Sequence, residues 1–162
     1  MLPLTPPDGS MITLIGAPGS GKSTFAARYP STWRLNLDTY RALATDKEDD
    51  LTATPVAAEI QTLLLDARLS RNLPVIVDST NLHHHVRAGL LARARYWQRP
   101  IQAVLFDVPL DTALTQNNNR PRVVPPHVVR DLHQLLPSVE QLEAEGFETV
   151  YRVSEAARVA PD

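Results

Sequence analysis

The chain has 162 residues, a formal net charge of −2 and no cysteine. That length carries one compact domain with a core of its own. The missing cysteines exclude disulfides, thiolate metal sites and cysteine nucleophiles, and the near-neutral total argues against a protein that coats nucleic acid indiscriminately.

Residues 1–10, MLPLTPPDGS, lack a basic region followed by an apolar core, so no secretory signal is expected there. They are read as a flexible, proline-rich lead-in to a single domain over residues 11–162. No apolar run reaches the roughly 18 residues of a membrane span, no membrane partner is expected, and the cytoplasm is the expected compartment.

MITLIG, Met11 to Gly16, is a short apolar run ending in glycine, the pattern of a buried strand. KSTFAARY follows as a helix stopped by Pro30, and Thr32 to Leu37 reads as a second strand. Pro55 to Arg71 carries Ala58, Ile60, Leu63, Leu64 and Ala67 at helical spacing. LPVIVDSTN is a third strand, Val86 to Trp97 a helix, Ile101 to Val108 a fourth strand and Asp111 to Asn118 a short helix. NRPRVVPP breaks regularity. His127 to Glu145 is expected as one helix kinked at Pro137 and stopped at Gly146, with FETVYRV as the fifth strand. Apolar strands alternating with helices are the signature of a parallel sheet covered on both faces. Ligands of such sheets sit at the carboxyl ends of the strands, where Gly16, Asp38 and Asp78 all fall.

Charge is unevenly distributed. His83 to Arg130 holds seven arginines against two aspartates, Asp131 to Glu148 holds five acids and no lysine or arginine, and Asp46 to Asp50 is a further acidic block. The expectation is either a locally basic surface or scattered solvated charge. The run His83 to His85 reads as a polar helix start, because consecutive helical residues point about 100° apart and cannot share one ion.

GAPGSGKST fits G-x-x-x-x-G-K-[ST] with Gly16, Gly21, Lys22 and Ser23. Its glycines let the loop Gly16, Ala17, Pro18, Gly19, Ser20 and Gly21 and the start of the helix at Lys22, Ser23 and Thr24 curl around phosphates with their backbone N–H groups, of which Pro18 has none. Lys22 is placed for the β- and γ-phosphates of ATP and Ser23 for Mg²⁺. Asp78 ends an apolar strand and is the second candidate on the metal side. Asp38 has three readings: a helix N-cap before TYRALA, a metal ligand, or a general base that takes the proton of an acceptor hydroxyl. Arg41, one turn on, faces the same side; it grips a charged group of the acceptor or pairs with Asp38 or the acidic block. Tyr40 is a candidate for stacking on a base. Thr80 and Asn81 are acceptor-binding candidates with an equally good reading as turn residues.

Taken in order, GAPGSGKSTFA, LDTYRALATDKEDD, VIVDSTNL with a following arginine, FDVPLDTAL, QNNNRPR and LEAEGFETVYRV resemble the ATP-dependent 5′-hydroxyl polynucleotide kinases. They are most similar to the kinase module of bacterial RNA end-repair enzymes, over about Ile12 to Val153. The resemblance implies an α/β, P-loop kinase-like three-layer fold: a five-stranded parallel sheet with helices on both faces and an arginine-bearing lid. It implies Asp38 as general base, Arg41 on a phosphate of the acceptor strand, and Arg120 and Arg122 in the lid over the donor, with Lys22, Asp38 and Arg120 catalytic. Gln116 stands where the relatives carry a further arginine. The substrates implied are ATP with Mg²⁺ and a 5′-OH RNA or DNA end, with a separate phosphatase or ligase as partner.

Overall fold

A computed structural model describes residues 6–153; residues 1–5 of the expected lead-in and 154–162 of the expected domain lie outside the described residues. Strands β1 (Met11–Ile15), β2 (Arg34–Leu35), β3 (Val75–Val77), β4 (Ile101–Phe106) and β5 (Thr149–Val153) form one sheet in the order β2-β3-β1-β4-β5. All of its pairings are parallel. The helices are α1 (Lys22–Ala26), α2 (Leu37–Thr45), α3 (Thr54–Leu69), α4 (His84–Trp97), α5 (Leu110–Asn118), α6 (Pro126–His133) and α7 (Val139–Glu145).

The alternation of side chains along each strand sorts the core into two layers. Met11, Ile15, Val75, Val77, Ile101, Ala103 and Leu105 pack with Leu65 and Leu69 of α3, Leu90 and Leu91 of α4 and Leu142 of α7. Ile12, Leu14, Ile76, Val104 and Phe106 turn the other way, onto Phe25 and Ala26 of α1. Each such side chain, fully buried, contributes about 1.5–3 kcal/mol, so burial on both faces dominates the stability of the sheet. A smaller cluster of Val108, Ala113 and Val129, with Leu110, Leu114 and Val124 against it, joins α5 to α6 and gives the segment between them its own footing.

The third strand, expected over residues 73–81, is Val75–Val77 alone, and the local structure departs from the sequence expectations at four further places, each for a physical reason. The second strand is two residues long, because Ser31–Trp33 form a 3-10 turn before it and Asn36 caps α2 after it. The first helix ends at Ala26, with the N–H groups of Ala27 and Arg28 closing back on Ser23 and Phe25. The expected helix over residues 127–145 is two helices: Pro137 has no N–H to continue the first, and Ser138 caps the second by accepting from Gln141 N–H at 3.1 Å. Gly9 and Ser10, read as lead-in, are buried, and the Ser10 carbonyl accepts from Val75 N–H at 3.1 Å, so the folded part begins before Met11.

Because β3 lies between β1 and β2, the ends of these strands stand side by side. Gly16 follows β1, Asp78 follows β3, and α2 with Asp38 follows β2.

Candidate active site at the strand ends

The loop from Gly16 to Gly21 leaves β1 and turns back into α1. A Cβ at Gly16 would stand 2.6 Å from Ser20 Oγ and 2.9 Å from Phe106 Cβ; one at Gly19, where φ is +82°, would stand 2.3 Å from the Ala113 carbonyl. Gly21 has φ 101°. This backbone is open to glycine alone at these turns, and the resulting hollow fits a phosphate chain. Ala17 and Ser20 are buried walls of the loop, Pro18 and Gly19 line its rim, and Ser23 and Thr24 are exposed on the first turn of α1.

Lys22 Nζ lies inside the loop and donates to the carbonyls of Gly16 (2.8 Å) and Ala17 (2.9 Å) and to Ser20 Oγ (3.5 Å). Burial lowers its pKa to about 8; the Asp78 carboxylate opposes that shift, Arg120 adds to it and Asp38 opposes it.

Asp78 is 2% exposed, and its Oδ2 accepts from Arg34 Nε at 2.6 Å and from Asn36 Nδ2 at 3.5 Å. Arg34 also reaches Ser23 Oγ at 3.5 Å. Ser23 and Asp78, the two residues expected on the metal side, therefore meet at one guanidinium. Their oxygen donors suit a hard cation such as Mg²⁺.

Asp38 occupies the second position of α2 and opens into the cleft. It is not the N-cap, which corrects one of its three readings. Asn36 caps the helix, its Oδ1 accepting from Thr39 N–H at 3.0 Å while its Nδ2 donates to the Asp78 carbonyl at 2.9 Å. Arg41 pairs with Asp38 Oδ1, and Arg122 Nη1 lies 3.3 Å from Asp38 Oδ2. Arg41 Nε donates to the Glu48 carbonyl at 2.8 Å, and Arg122 Nε stands 3.7 Å from Glu48 Oε1. Glu48 thus ties the acidic block to this edge, while the carboxylates of Asp46, Glu48 and Asp49 stay exposed.

The loop, Asp38, Arg41, Asp78, Thr80 and the segment with Gln116, Arg120 and Arg122 line one open cleft of about 1240 Å³. Single-ligand pockets run to about 300–1,000 Å³, so the cleft has room for two reactants.

Two expected site residues are elsewhere. Tyr40 is 7% exposed and packed in the core, where burial raises its pKa, so it offers no stacking face to the cleft. Asn81, with φ 48°, is 4% exposed and spends its amide on the carbonyls of Leu14 (2.7 Å), Val77 and Ser79 (each 3.2 Å), so its surroundings support the turn reading. Much of the arginine excess is also engaged within the protein, although of these arginines only Arg87 is buried. Arg87 is buried against Glu145, Arg93 pairs with Asp66, and Arg95 and Arg99 donate to backbone carbonyls. Sequence reasoning missed Arg34, Asn36 and Glu48. The available signal for Asn36 was its own strength as an N-cap two places before Asp38, and that for Glu48 was its place in the acidic block already offered as a partner of Arg41; the contact of Arg34 with Asp78 depends on the sheet order and had none.

Residues 11–138 match the family model of the AAA domain. Solved structures of similar fold include a chain of the Pnkp1/Rnl/Hen1 RNA repair complex, at 24% identity and TM-score 0.66 over 90% of this chain and 48% of that chain. A gluconokinase from Sinorhizobium meliloti 1021 matches at 18% and 0.56, covering 96% of this chain and 86% of its own. Kti12 from Chaetomium thermophilum in complex with ADP-AlF3 matches at 17% and 0.59, covering 89% and 88%. The chain spans about half the length of the repair-complex chain. With the glycine loop, the buried lysine and the parallel sheet in the order β2-β3-β1-β4-β5, the chain belongs to the AAA domain family and has the α/β fold of P-loop kinase-like proteins.

Proposed function

We propose that this chain is an ATP-dependent kinase that transfers the γ-phosphate to the 5′-hydroxyl of a polynucleotide, RNA or DNA. The observation that carries the reading is Asp38: a carboxylate in the same cleft as the phosphate loop, flanked by arginines on both of its oxygens. A nucleotide hydrolase or a nucleotide-gated switch has no use for such an acceptor side. A chain of an RNA repair complex shares the fold, which supports a polynucleotide acceptor. A separate phosphatase or ligase is the partner class this reading implies.

Lys22 would exchange its carbonyl partners for the β- and γ-phosphates, and Arg120 would neutralise charge on the transferring group. Ser23 and Asp78 would hold Mg²⁺, which would supply positive charge against the phosphates. Asp38 accepts the proton of the acceptor hydroxyl as its oxygen bonds to the γ-phosphorus. The bond to the β,γ-bridging oxygen breaks, and ADP leaves with that electron pair.

A small-molecule hydroxyl, on a nucleoside, antibiotic or sugar, is the competing acceptor. One observation favours it: of the α4 arginines, Arg87 is buried on Glu145 and Arg93 is paired with Asp66, so α4 offers no continuous track of unpaired cations for a strand.

The deciding experiment is transfer from labelled ATP to a 5′-OH oligonucleotide by wild type and Asp38→Ala. Loss of a general base costs about 10²–10⁴ in rate, with ATP binding retained. Near-normal turnover in the variant removes Asp38 from proton transfer; labelling of an aminoglycoside or nucleoside with no labelling of the strand replaces the polynucleotide reading.

A further inference from the structure

Asp78 follows β3 at 2% exposure, and a carboxylate buried that deeply needs a positive partner. Arg34 supplies it. Its Nε donates to Asp78 Oδ2 at 2.6 Å, and its Nη2 lies 3.5 Å from Ser23 Oγ. Asn36 Nδ2 reaches the same Oδ2 only at 3.5 Å and carries no charge. One guanidinium therefore spans the two residues that would hold Mg²⁺. It comes from β2, an edge strand of the sheet, and its side chain is 36% exposed. That side chain can swing toward solvent, whereas Asp78 is tied at its N–H to the Leu35 carbonyl at 2.8 Å.

We propose that Arg34 is the resident counter-cation of the metal side: it neutralises Asp78 in the nucleotide-free protein and gives way to a divalent cation that enters with the nucleotide. The proposal rests on the nucleotide and Mg²⁺ half of the reading above and is independent of the acceptor. The first argument is space. An ion bound directly by Ser23 Oγ and Asp78 needs the room between those oxygens that the guanidinium now fills. The second is charge. A guanidinium left beside a divalent ion is repelled, and more strongly in a partly buried site than in water. The apparent affinity for the ion is then lowered by the work of moving Arg34. Free Mg²⁺ must displace it with the protein oxygens alone, while the nucleotide complex brings phosphate ligands as well. The site thereby takes its cation together with its nucleotide.

The test uses the full chain with Mg²⁺ and ADP. Titration calorimetry gives the Mg²⁺ concentration at which the metal-dependent gain in ADP affinity is half complete, for wild type, Arg34→Met and Arg34→Lys. Arg34→Met loses the charge and keeps an unbranched chain; its midpoint should fall by about tenfold, the worth of one hydrogen bond to a charged group. Arg34→Lys keeps a cation and should fall between the two. An unchanged midpoint in Arg34→Met means that ion and guanidinium do not share a place, and overturns the proposal. Weaker ADP binding by Arg34→Met at saturating Mg²⁺ makes Arg34 a phosphate ligand and overturns it as well. A second measurement is made on wild type, so it does not depend on how well Arg34→Met folds. The Arg34 Nε–H resonance, identified by its loss in Arg34→Lys, should exchange slowly with solvent in EDTA, with or without ADP. With Mg²⁺ and ADP together it should exchange at least about tenfold faster. Protection that persists with both present, or that is lost with ADP alone, sinks the proposal. If wild type binds no ADP at any Mg²⁺ concentration, the nucleotide reading itself fails first.

Discussion

Lys22 shows how a single side chain can be costly to the empty fold and useful to the loaded one. Its ammonium is buried against the Gly16 and Ala17 carbonyls, and burial lowers its pKa from 10.5 to about 8. An unfolded chain therefore binds more protons at this lysine than the folded chain does between about pH 8 and 10.5. Stability rises with pH wherever the unfolded state binds more protons, so this group should add stability as pH climbs through that window. Phosphates reverse the balance by giving the ammonium anionic partners. We expect the thermal stability of ligand-free wild type, relative to Lys22→Met, to increase between pH 7 and 9.5, and stabilisation by ATP to vanish in the variant. Melting curves at the two pH values check this; a difference that shrinks with pH means burial does not govern the lysine. Lys22 and Gly16 were legible in the sequence because the phosphate loop is local, all of its contacts lying within a few residues. Arg34 and Arg122 were not, since their carboxylate partners lie 44 and 84 residues away and become neighbours only through the sheet order and the link between α5 and α6.

At the scale of elements, α2 is the piece that matters most to the site, and its start was misread. Asparagine and aspartate are equally good N-caps, and the sequence offers both, two places apart. The one already at the strand end takes the cap, which leaves Asp38 in the first turn, open to the cleft instead of tied to its own backbone. Asn36 does more than cap: the same amide donates to the carbonyl of Asp78, so it couples the helix that carries Asp38 to the strand end that carries Asp78. Asn36→Ala should cost about 2 kcal/mol, roughly one for the cap and one for the lost hydrogen bond. Asn36→Ser keeps a cap acceptor but has no amide to reach β3, and should recover about half of that. Chemical denaturation of the three proteins measures it. Equal stability for Ala and wild type would mean the cap is not used. The longer elements were read correctly because unbroken apolar runs and helical spacing dominate there; the split between α6 and α7 was not, because a proline alone does not distinguish a kink from a break until the residue after it caps a new helix.

For the molecule as a whole, the question is what keeps the cleft floor fixed while substrates come and go. The turn after β3, with Asp78 and Thr80, is held from the front by the Gly16 N–H, which donates to the Thr80 carbonyl at 3.0 Å. From behind it is held by Arg87, which is 1% exposed and donates from Nη1 to the carbonyls of Asn81 (3.2 Å) and Leu82 (2.8 Å). The remaining edge of Arg87 makes a two-pronged contact with Glu145 at 2.8 and 2.9 Å, so α7, which packs beside β5, reaches through α4 to the loop beside the site. Hydrogen bonds from Arg87 hold the Glu145 carboxyl below its ordinary pKa, against the opposing effect of burial. Its contribution is therefore present above the unfolded carboxylate range and lost as the pH falls through the lowered value. Removing one partner of a buried pair strands the other, at about 3–5 kcal/mol, whereas replacing both with apolar residues is often neutral. Glu145→Ala should lower the melting temperature by on the order of 10 °C, and the Arg87→Met, Glu145→Leu double variant should regain most of it. The double variant still lacks the donor to the Asn81 and Leu82 carbonyls, so it should stay impaired in transfer after its stability returns. Melting temperatures and turnover measured on wild type and these two variants separate the two effects. If stability and turnover recover together in the double variant, Arg87 holds the helices and not the site, and the coupling between them is absent.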